Sequence, residues 1–370
     1  MERRNILSIG RDSSVAEEGS QLYKRFVMYD SYHSFTHIVI NVGQRKEISI
    51  GQSTVIIAGG KSLVTAFLNG FFEANKQAKQ NSFTLVTTQD VLYAGVTGYV
   101  VSRLHKLKLY VQVHGDHLDN PRWFKSDVGT FNRVMNIVGK FLLRRADAVR
   151  AVSERLKRQL VANYAIPAER IISIPIGTDL TLFTQGENKE RKRSILFAQR
   201  LIHEKCPMLF CEVVKEVSDA FSEVTIDIAG DGFLKEDMQK FFEDHAMQSK
   251  VTFHGMVDQN KLVELYRTSH CYVHTADWEG WGMPMIEAMA SGCPVVTTDT
   301  GCASEAVRHN ETGLVTEIND TDALVRETKR LFADDTFWEE IAQNGQKEAK
   351  VWAFDTLAKK NMQWYADARE

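Results

Sequence analysis

The stretch Cys271-Tyr272-Val273-His274-Thr275-Ala276-Asp277-Trp278-Glu279-Gly280-Trp281-Gly282-Met283-Pro284-Met285-Ile286-Glu287-Ala288-Met289-Ala290 decides how this chain reads. Cys271–Thr275 is a short β-rich apolar run and Pro284–Ala290 is helical in composition, so the segment is strand, loop, helix. Pro284 suits the first helical position, and Gly292 ends the helix just before Pro294. Gly280 and Gly282, with Trp281 between them, let backbone approach a ligand closely. The amides around Met283 then point from a helix N-terminus, a place suited to phosphate oxygens. Glu279 lies in the loop, free to hydrogen-bond sugar hydroxyls, and Glu287 falls about one turn into the helix, within reach of a ribose. A buried strand–loop–helix with no ligand is the simpler alternative; two glycines, a proline and two carboxylates in one window weigh against it.

The same alternation of short β-rich runs and longer helical patterns extends almost from end to end, which predicts parallel sheets wound with helices. Strand candidates are Ile6–Ile9, Ile38–Asn41, Val55–Ala58, Phe83–Thr87, Leu109–His114, Ala148–Val152 and Ile171–Pro175. The pattern restarts with Ser194–Ala198, Val224–Ala229, Val251–His254, Cys271–Thr275 and Pro294–Thr298. Between the series lies the polar stretch Thr184–Arg193, the expected linker. A chain of 370 residues is too long for one compact α/β domain and comfortable for two of roughly 170–180 residues each. Trp352–Tyr365 reads as a terminal amphipathic helix. Doubly wound sheets bind ligands beyond the carboxyl ends of their strands, so chemistry is expected just after strands.

Three further constellations sit there. Arg200 and Lys205, five residues apart after the strand Ser194–Ala198, can neutralise a diphosphate from two sides, Arg as a fork and Lys as a point charge; a solvated loop is the alternative. Gly230-Asp231-Gly232 closes another strand in a tight turn, which lets backbone pass beside a nucleotide or needs no ligand at all. His114-Gly115-Asp116 follows Leu109–Val113, and the histidine could hydrogen-bond a sugar or stabilise developing charge, or simply pack.

Composition bounds the alternatives. No apolar run approaches the roughly 20 residues of a membrane span, and the apolar core of the N-terminus is too short for a signal peptide. The five cysteines show no C-x-x-C spacing and read as reduced, buried thiols. The net charge of -3 conceals an asymmetry: 24 Lys and Arg face 15 Asp and Glu through Gln185, and 21 face 33 after it. Arg133, Lys140, Arg144, Arg145, Arg150, Arg155, Lys157 and Arg158 gather around an amphipathic helix, Phe131–Leu143. Attraction to an anionic membrane or lipid-diphosphate acceptor and a solvated face explain this cluster equally. No aromatic-rich basic stripe accompanies the charge, so no nucleic acid is expected. Asp320-Thr321-Asp322 matches the D-x-D of metal-dependent transferases, but its position before Ala323–Leu331 predicts helix capping.

Together these pieces resemble the retaining glycosyltransferases of family 4, with the GT-B fold. The resemblance rests on E-x7-E as Glu279 and Glu287, R-x4-K as Arg200 and Lys205, Gly230-Asp231-Gly232, Val251-Thr252-Phe253-His254-Gly255 and Gly292-Cys293-Pro294-Val295-Val296. Ala151-Val152-Ser153-Glu154 through Ile174-Pro175-Ile176-Gly177-Thr178-Asp179 is similar to the family's passage into its linker. It implies an α/β GT-B fold, two Rossmann-like domains facing a central cleft. Residues 1–178 would bind acceptor, residues 179–352 would bind nucleotide sugar, and a C-terminal helix, 353–370, would cross back to the first domain. It implies that Glu279 contacts the donor sugar, Glu287 the ribose, Arg200 and Lys205 the diphosphate, and that His114 lies by the transferred sugar. It further implies retention of anomeric configuration, no cofactor and no essential metal: the two cations and the helix start near Met283 would stabilise the leaving diphosphate.

The expected activity is transfer of a hexose-type sugar from a nucleotide-diphosphate sugar to a hydroxyl of a glycan, glycolipid or polysaccharide precursor. The expected location is cytoplasmic, peripheral on the inner face of the membrane. Family members often carry a Gly-Gly pair after the first strand; here Arg11–Ser20 offers only Gly19, so Gly19 and Asp116 are the candidates for acceptor and phosphate contact. Ile176 stands where Asn is common. Another GT-B enzyme, such as an epimerase or phosphorylase, is the alternative. A dinucleotide oxidoreductase would want G-x-G-x-x-G after its first strand, which is missing, and a dead binding protein would be expected to have lost Glu279 or Lys205.

Overall fold

The computed structural model describes residues 2–115, 129–184 and 191–367. They form two compact units, Met1–Pro175 with Leu357–Glu370, and Ile176–Thr356.

In the first unit the order is β1 (Asn5–Gly10), α1 (Gln21–Asp30), β2 (Ser34–Val39), β3 (Lys46–Ile50), β4 (Ser53–Ile57), α2 (Leu63–Gln80), β5 (Leu85–Thr88), α3 (Tyr93–Leu104), β6 (Lys108–Val113), α4 (Gly129–Arg145), β7 (Ala148–Ala151), α5 (Glu154–Tyr164) and β8 (Ile171–Ser173). The described strands form one sheet in the order β3-β4-β2-β1-β5-β6-β7-β8. All pairs are parallel except the hairpin β3–β4. That hairpin departs from the sequence reading, which left β3 unassigned. Its Lys46-Glu47-Ile48-Ser49-Ile50 is largely exposed, as an edge strand is, and carries no continuous apolar run.

The second unit runs β9 (Ser194–Ala198), α6 (Pro207–Ala220), β10 (Thr225–Ala229), α7 (Lys235–Asp244), β11 (Val251–Gly255), α8 (Gln259–Thr268), β12 (Cys271–His274), α9 (Met283–Ala290), β13 (Val295–Thr298), β14 (Leu314–Thr316), α10 (Thr321–Ala333) and α11 (Asp335–Ala349). Its described sheet is wholly parallel, β11-β10-β9-β12-β13-β14. Ile195, Phe197, Phe210, Val214, Ile226, Val273 and Val296 fill its core. β14, only three residues long, escaped the sequence reading.

Helix starts follow side-chain caps. Ser62, Ser153, Asp258 and Asp334 each accept from the backbone N–H three residues on. Asp320 does the same, taking the Ala323 N–H at 2.9 Å, so the D-x-D lookalike starts α10.

The final helix, α12 (Phe354–Ala366), leaves the second unit and packs on the first. Met362, Trp364 and Tyr365 join the core of the first unit, with Trp364 4.7 Å from Tyr110 between ring centroids. A buried polar network locks it. Arg150 is 4% exposed. It donates to Ile174 O, Pro175 O and Gln112 Oε1 at 2.8, 2.8 and 2.6 Å. Gln112 in turn donates to the Tyr365 hydroxyl at 2.8 Å. Arg150 therefore does not belong to the exposed basic cluster in which the sequence reading placed it; its guanidinium, bonded through each of its three nitrogens, ties β7, β6 and the chain's exit from β8 together.

Candidate functional site

In the second unit, adjacent parallel strands β10, β9, β12 and β13 deliver four segments to the carboxyl edge of one sheet. The segment after β9 carries Arg200 and Lys205. Arg200 is exposed and its side chain has no ion-pair partner among the described residues. Lys205 ends a short 3-10 turn, His203–Lys205, and its carbonyl accepts the Thr275 hydroxyl at 3.0 Å, which pins this loop to the end of β12. The Lys205 ammonium is thereby brought against Glu279, donating to Oε2. Both side chains are mostly buried. The second Glu279 oxygen accepts the Gly280 N–H at 3.2 Å. Burial, the largest single influence, raises the Glu279 carboxyl, but the Lys205 charge, the neighbouring His274 and the hydrogen bonds from Lys205 and the Gly280 N–H together outweigh it and hold the group below the usual glutamate range.

Gly230 explains why the β10 turn needs glycine. Its φ of +136° lies where side chains are disfavoured, and a Cβ would run into the Gln199 carbonyl. Its N–H donates to Gly255 O at 2.8 Å, while Leu201 N donates to Asp231 O at 2.9 Å. The turns after β9, β10 and β11 thus hold one another by backbone alone.

After β12, Gly282 adopts a φ of +90° and precedes α9 with no side-chain cap; Met283 begins the helix and Pro284 follows in its first turn. Trp281 is buried, its ring 4.9 Å from that of Trp352, and its carbonyl accepts Cys302 N at 2.6 Å. The Gly301–Cys302 turn after β13 was missed from sequence. A Cβ at Gly301 would lie 2.8 Å from Glu279 Cγ, at a φ of +56°. The signal was there, a glycine just past a predicted strand end, but nothing in the residue string tied it to Glu279. Glu287 is half-buried inside α9. Burial, and after it the Glu287 charge, keeps the buried phenol of Tyr266 well above its ordinary pKa.

Several buried polar atoms at this edge have no hydrogen-bond partner among the described residues: both amide atoms of Gln199, His274 Nε2, and the indole N–H groups of Trp278 and Trp281. Such groups are costly unless a ligand or solvent completes them.

In the first unit, His114 follows β6 and its Nε2 lies 3.2 Å from Gln89 Oε1, at the end of neighbouring β5. Gly10 closes β1 beside them; a Cβ there would press His37 Cε1 at 3.0 Å and Gln89 Cγ at 3.2 Å. Gln89 and Gly10 were not singled out from sequence. Gly19, which was, is exposed at a φ of +88°, with open space where a Cβ would stand. Asp116 lies outside the described residues.

Residues 180–348 match the family described as "Glycosyl transferases group 1", and residues 46–182 match "Glycosyltransferase Family 4". The chain belongs to glycosyltransferase family 4. Its relatives include an uncharacterized glycosyltransferase of Methanocaldococcus jannaschii, 25% identical over 59% of this chain and 60% of that one. The alpha-monoglucosyldiacylglycerol synthase of Streptococcus pneumoniae is 24% identical over 61% of this chain and 54% of its own. The matched region is thus less than two thirds of either curated relative. Solved structures share the fold end to end. Sucrose-phosphate synthase from Thermosynechococcus elongatus matches at a TM-score of 0.78 and 20% identity, over 98% of each chain. Anabaena HepE in complex with UDP-glucose matches at 0.75 and 17%, over 98% of this chain and 99% of that one. This family 4 glycosyltransferase accordingly has two Rossmann-like α/β units of the GT-B fold.

Proposed function

We propose that this chain is a retaining glycosyltransferase that takes a hexose-type sugar from a nucleotide-diphosphate sugar, UDP foremost, and passes it to a hydroxyl acceptor. The observation that carries the reading is the loop cluster of the second unit. Lys205 and Glu279 are paired beneath a helix start with no side-chain cap, Arg200 stands exposed nearby in sequence, and buried polar atoms there lack partners. A diphosphate suits the cations and the α9 amides; sugar hydroxyls suit Glu279, and a ribose suits Glu287. The complex of HepE, which has the same fold, with UDP-glucose favours UDP.

As the sugar–phosphate bond lengthens, negative charge grows on the leaving diphosphate, and Arg200, Lys205 and the α9 dipole stabilise it in the part otherwise played by a metal. The acceptor hydroxyl enters on the leaving group's face, and a departing phosphate oxygen takes its proton. On the first unit, His114 is held by Gln89 and is the candidate group beside the transferred sugar.

The acceptor is a glycan or lipid-linked hydroxyl, and the first unit has a face suited to the anionic membrane surface that would present a lipid. Helix α4 carries Arg133, Lys140, Arg144 and Arg145 and no carboxylate. Val134, Ile137 and Phe141, spaced along one side, are 51%, 68% and 44% exposed. The enzyme would then work in the cytoplasm, peripheral to the membrane.

A calorimetric screen of UDP, GDP and ADP sugars, repeated on Glu287→Ala and Lys205→Ala and with a chelator, tests the reading. UDP sugars should bind the wild type, chelator or not, and bind both variants more weakly. Binding to neither wild type nor variants, or equal binding to all three, would discard it.

A further inference from the structure

We propose that His274 is a positioning residue for Glu279: its Nε2–H, set by the Tyr272 hydroxyl, takes the carboxylate when Lys205 turns to the donor diphosphate. This rests on the donor reading above and adds to it two residues outside the E-x7-E and R-x4-K motifs.

The geometry begins with the strand. Tyr272 and His274 are two apart on β12, so their side chains share a face, and both are fully buried at the end that leads into the Glu279 loop. The Tyr272 hydroxyl lies 2.9 Å from His274 Nδ1. The other ring nitrogen, Nε2, lies 3.9 Å from Glu279 Oε2 and has no hydrogen-bond partner among the described residues.

Two arguments assign the proton. Burial pushes the His274 imidazole down to about 3, with the Glu279 charge opposing and the Lys205 charge adding, so at neutral pH the ring is uncharged and its contact with Glu279 is no ion pair. A neutral ring has one N–H. Were it on Nδ1, a bare lone pair on Nε2 would face a carboxylate, acceptor against acceptor, in a buried place. Burial, and after it the charges of Glu279 and Glu287, keeps Tyr272 protonated. Its hydroxyl therefore donates to Nδ1, and the imidazole proton sits on Nε2, aimed at Glu279.

Glu279 Oε1 is engaged by the Gly280 amide, so Oε2 is the oxygen that faces both Lys205 and His274. Lys205 donates to it in the structure. A diphosphate draws an ammonium strongly, and a Lys205 that leaves would abandon a buried carboxylate, which is costly unless a second donor is ready. A closure of about 1 Å brings Nε2 to hydrogen-bond distance. The neutral donor then fixes Glu279 toward the sugar without cancelling its charge.

The test uses the full chain with UDP and UDP-glucose as probes. Nitrogen-15 spectra of the ligand-free wild type should show His274 neutral with its proton on Nε2. His274→Leu should keep UDP affinity within about threefold while losing about tenfold or more of the additional affinity for UDP-glucose, and of its slow hydrolysis. Tyr272→Phe, which frees the tautomer, should lose part of the same advantage. His274→Gln, whose amide nitrogen reaches the place of Nε2, should restore most of it. A purely structural histidine would not divide sugar-dependent from nucleotide affinity, nor be rescued by glutamine. A proton on Nδ1 overturns the proposal whatever the protein binds. If the wild type binds UDP-glucose and His274→Leu retains its full advantage, this assignment alone falls; if the wild type binds no nucleotide, the donor reading falls with it.

Discussion

Replacing Lys205 by alanine tests the donor site through stability and binding at once. The change leaves the Glu279 carboxylate, mostly buried, without its cation. Removing one partner of a buried ion pair costs about 3–5 kcal/mol; because part of each side chain still reaches solvent, about 2–3 kcal/mol is expected here. The pH dependence carries the diagnosis. In the wild type Glu279 titrates below its unfolded value of 4.5, because burial, the largest influence, is outweighed by the Lys205 charge together with His274 and the hydrogen bonds from Lys205 and Gly280, so these contacts contribute stability above pH 4.5 and lose it as pH falls through the folded pKa. Without Lys205, burial dominates and the folded pKa rises above 4.5. The ionised carboxylate then penalises the fold at neutral pH, and acidification relieves it. Urea denaturation should show the Lys205→Ala deficit largest near pH 7 and smaller near pH 5. Lys205→Ala with Glu279→Gln should recover most of it. The lost contact to a diphosphate should weaken UDP by about 10–100-fold in calorimetry. Equal deficits at the two pH values, with no recovery in the double variant, would refute the reasoning.

Three further outcomes are expected. Burial pushes His37 down to about 4 and His274 to about 3, and it lowers His33 and His270 as well. Their stability contribution is complete above pH 6.5 and is lost as pH falls from there toward the folded values; His37 and His274 should each cost about 1.4 kcal/mol by pH 5.5, so a flat urea midpoint between pH 7.5 and 5.5 would contradict their burial. Gly230→Ala places a Cβ against the Gln199 carbonyl at a φ of +136° and should cost about 2–3 kcal/mol with a matching loss of UDP affinity, read by thermal unfolding and calorimetry; an unchanged melting temperature would dispute the turn. The chain should cosediment with vesicles containing phosphatidylglycerol and not with pure phosphatidylcholine. Ile137→Asp with Arg144→Glu should reduce that binding about tenfold or more, and equal binding by this variant would remove α4 as the contact.

Much of the second unit was legible because its buried parallel strands read as continuous apolar runs bounded by Gly, Pro and polar turns; Ser194–Ala198 is placed identically by sequence and structure. The terminal helix was legible for its period, with Leu357, Met362 and Tyr365 facing a core. The edge strand Lys46–Ile50 was not, because a strand with water on its outer side has no pattern to distinguish it from a loop. Arg150 misled for a related reason. Its charge suggests a surface, and only the carbonyls of Ile174 and Pro175 and the Gln112 amide, distant in sequence, satisfy it inside.

By itself the residue string determined the two α/β units, the family, and the strand–loop–helix that carries Glu279 and Glu287, since local turn, cap and charge rules act over one or two helical turns. Tertiary structure decided the pairing of Lys205 with Glu279, the approach of Gly301 beneath it, and the Tyr272–His274 contact aimed at the same oxygen. Those depend on which strand ends become neighbours, and sheet order pairs segments as distant as Ile6 and Leu85, which no local rule encodes.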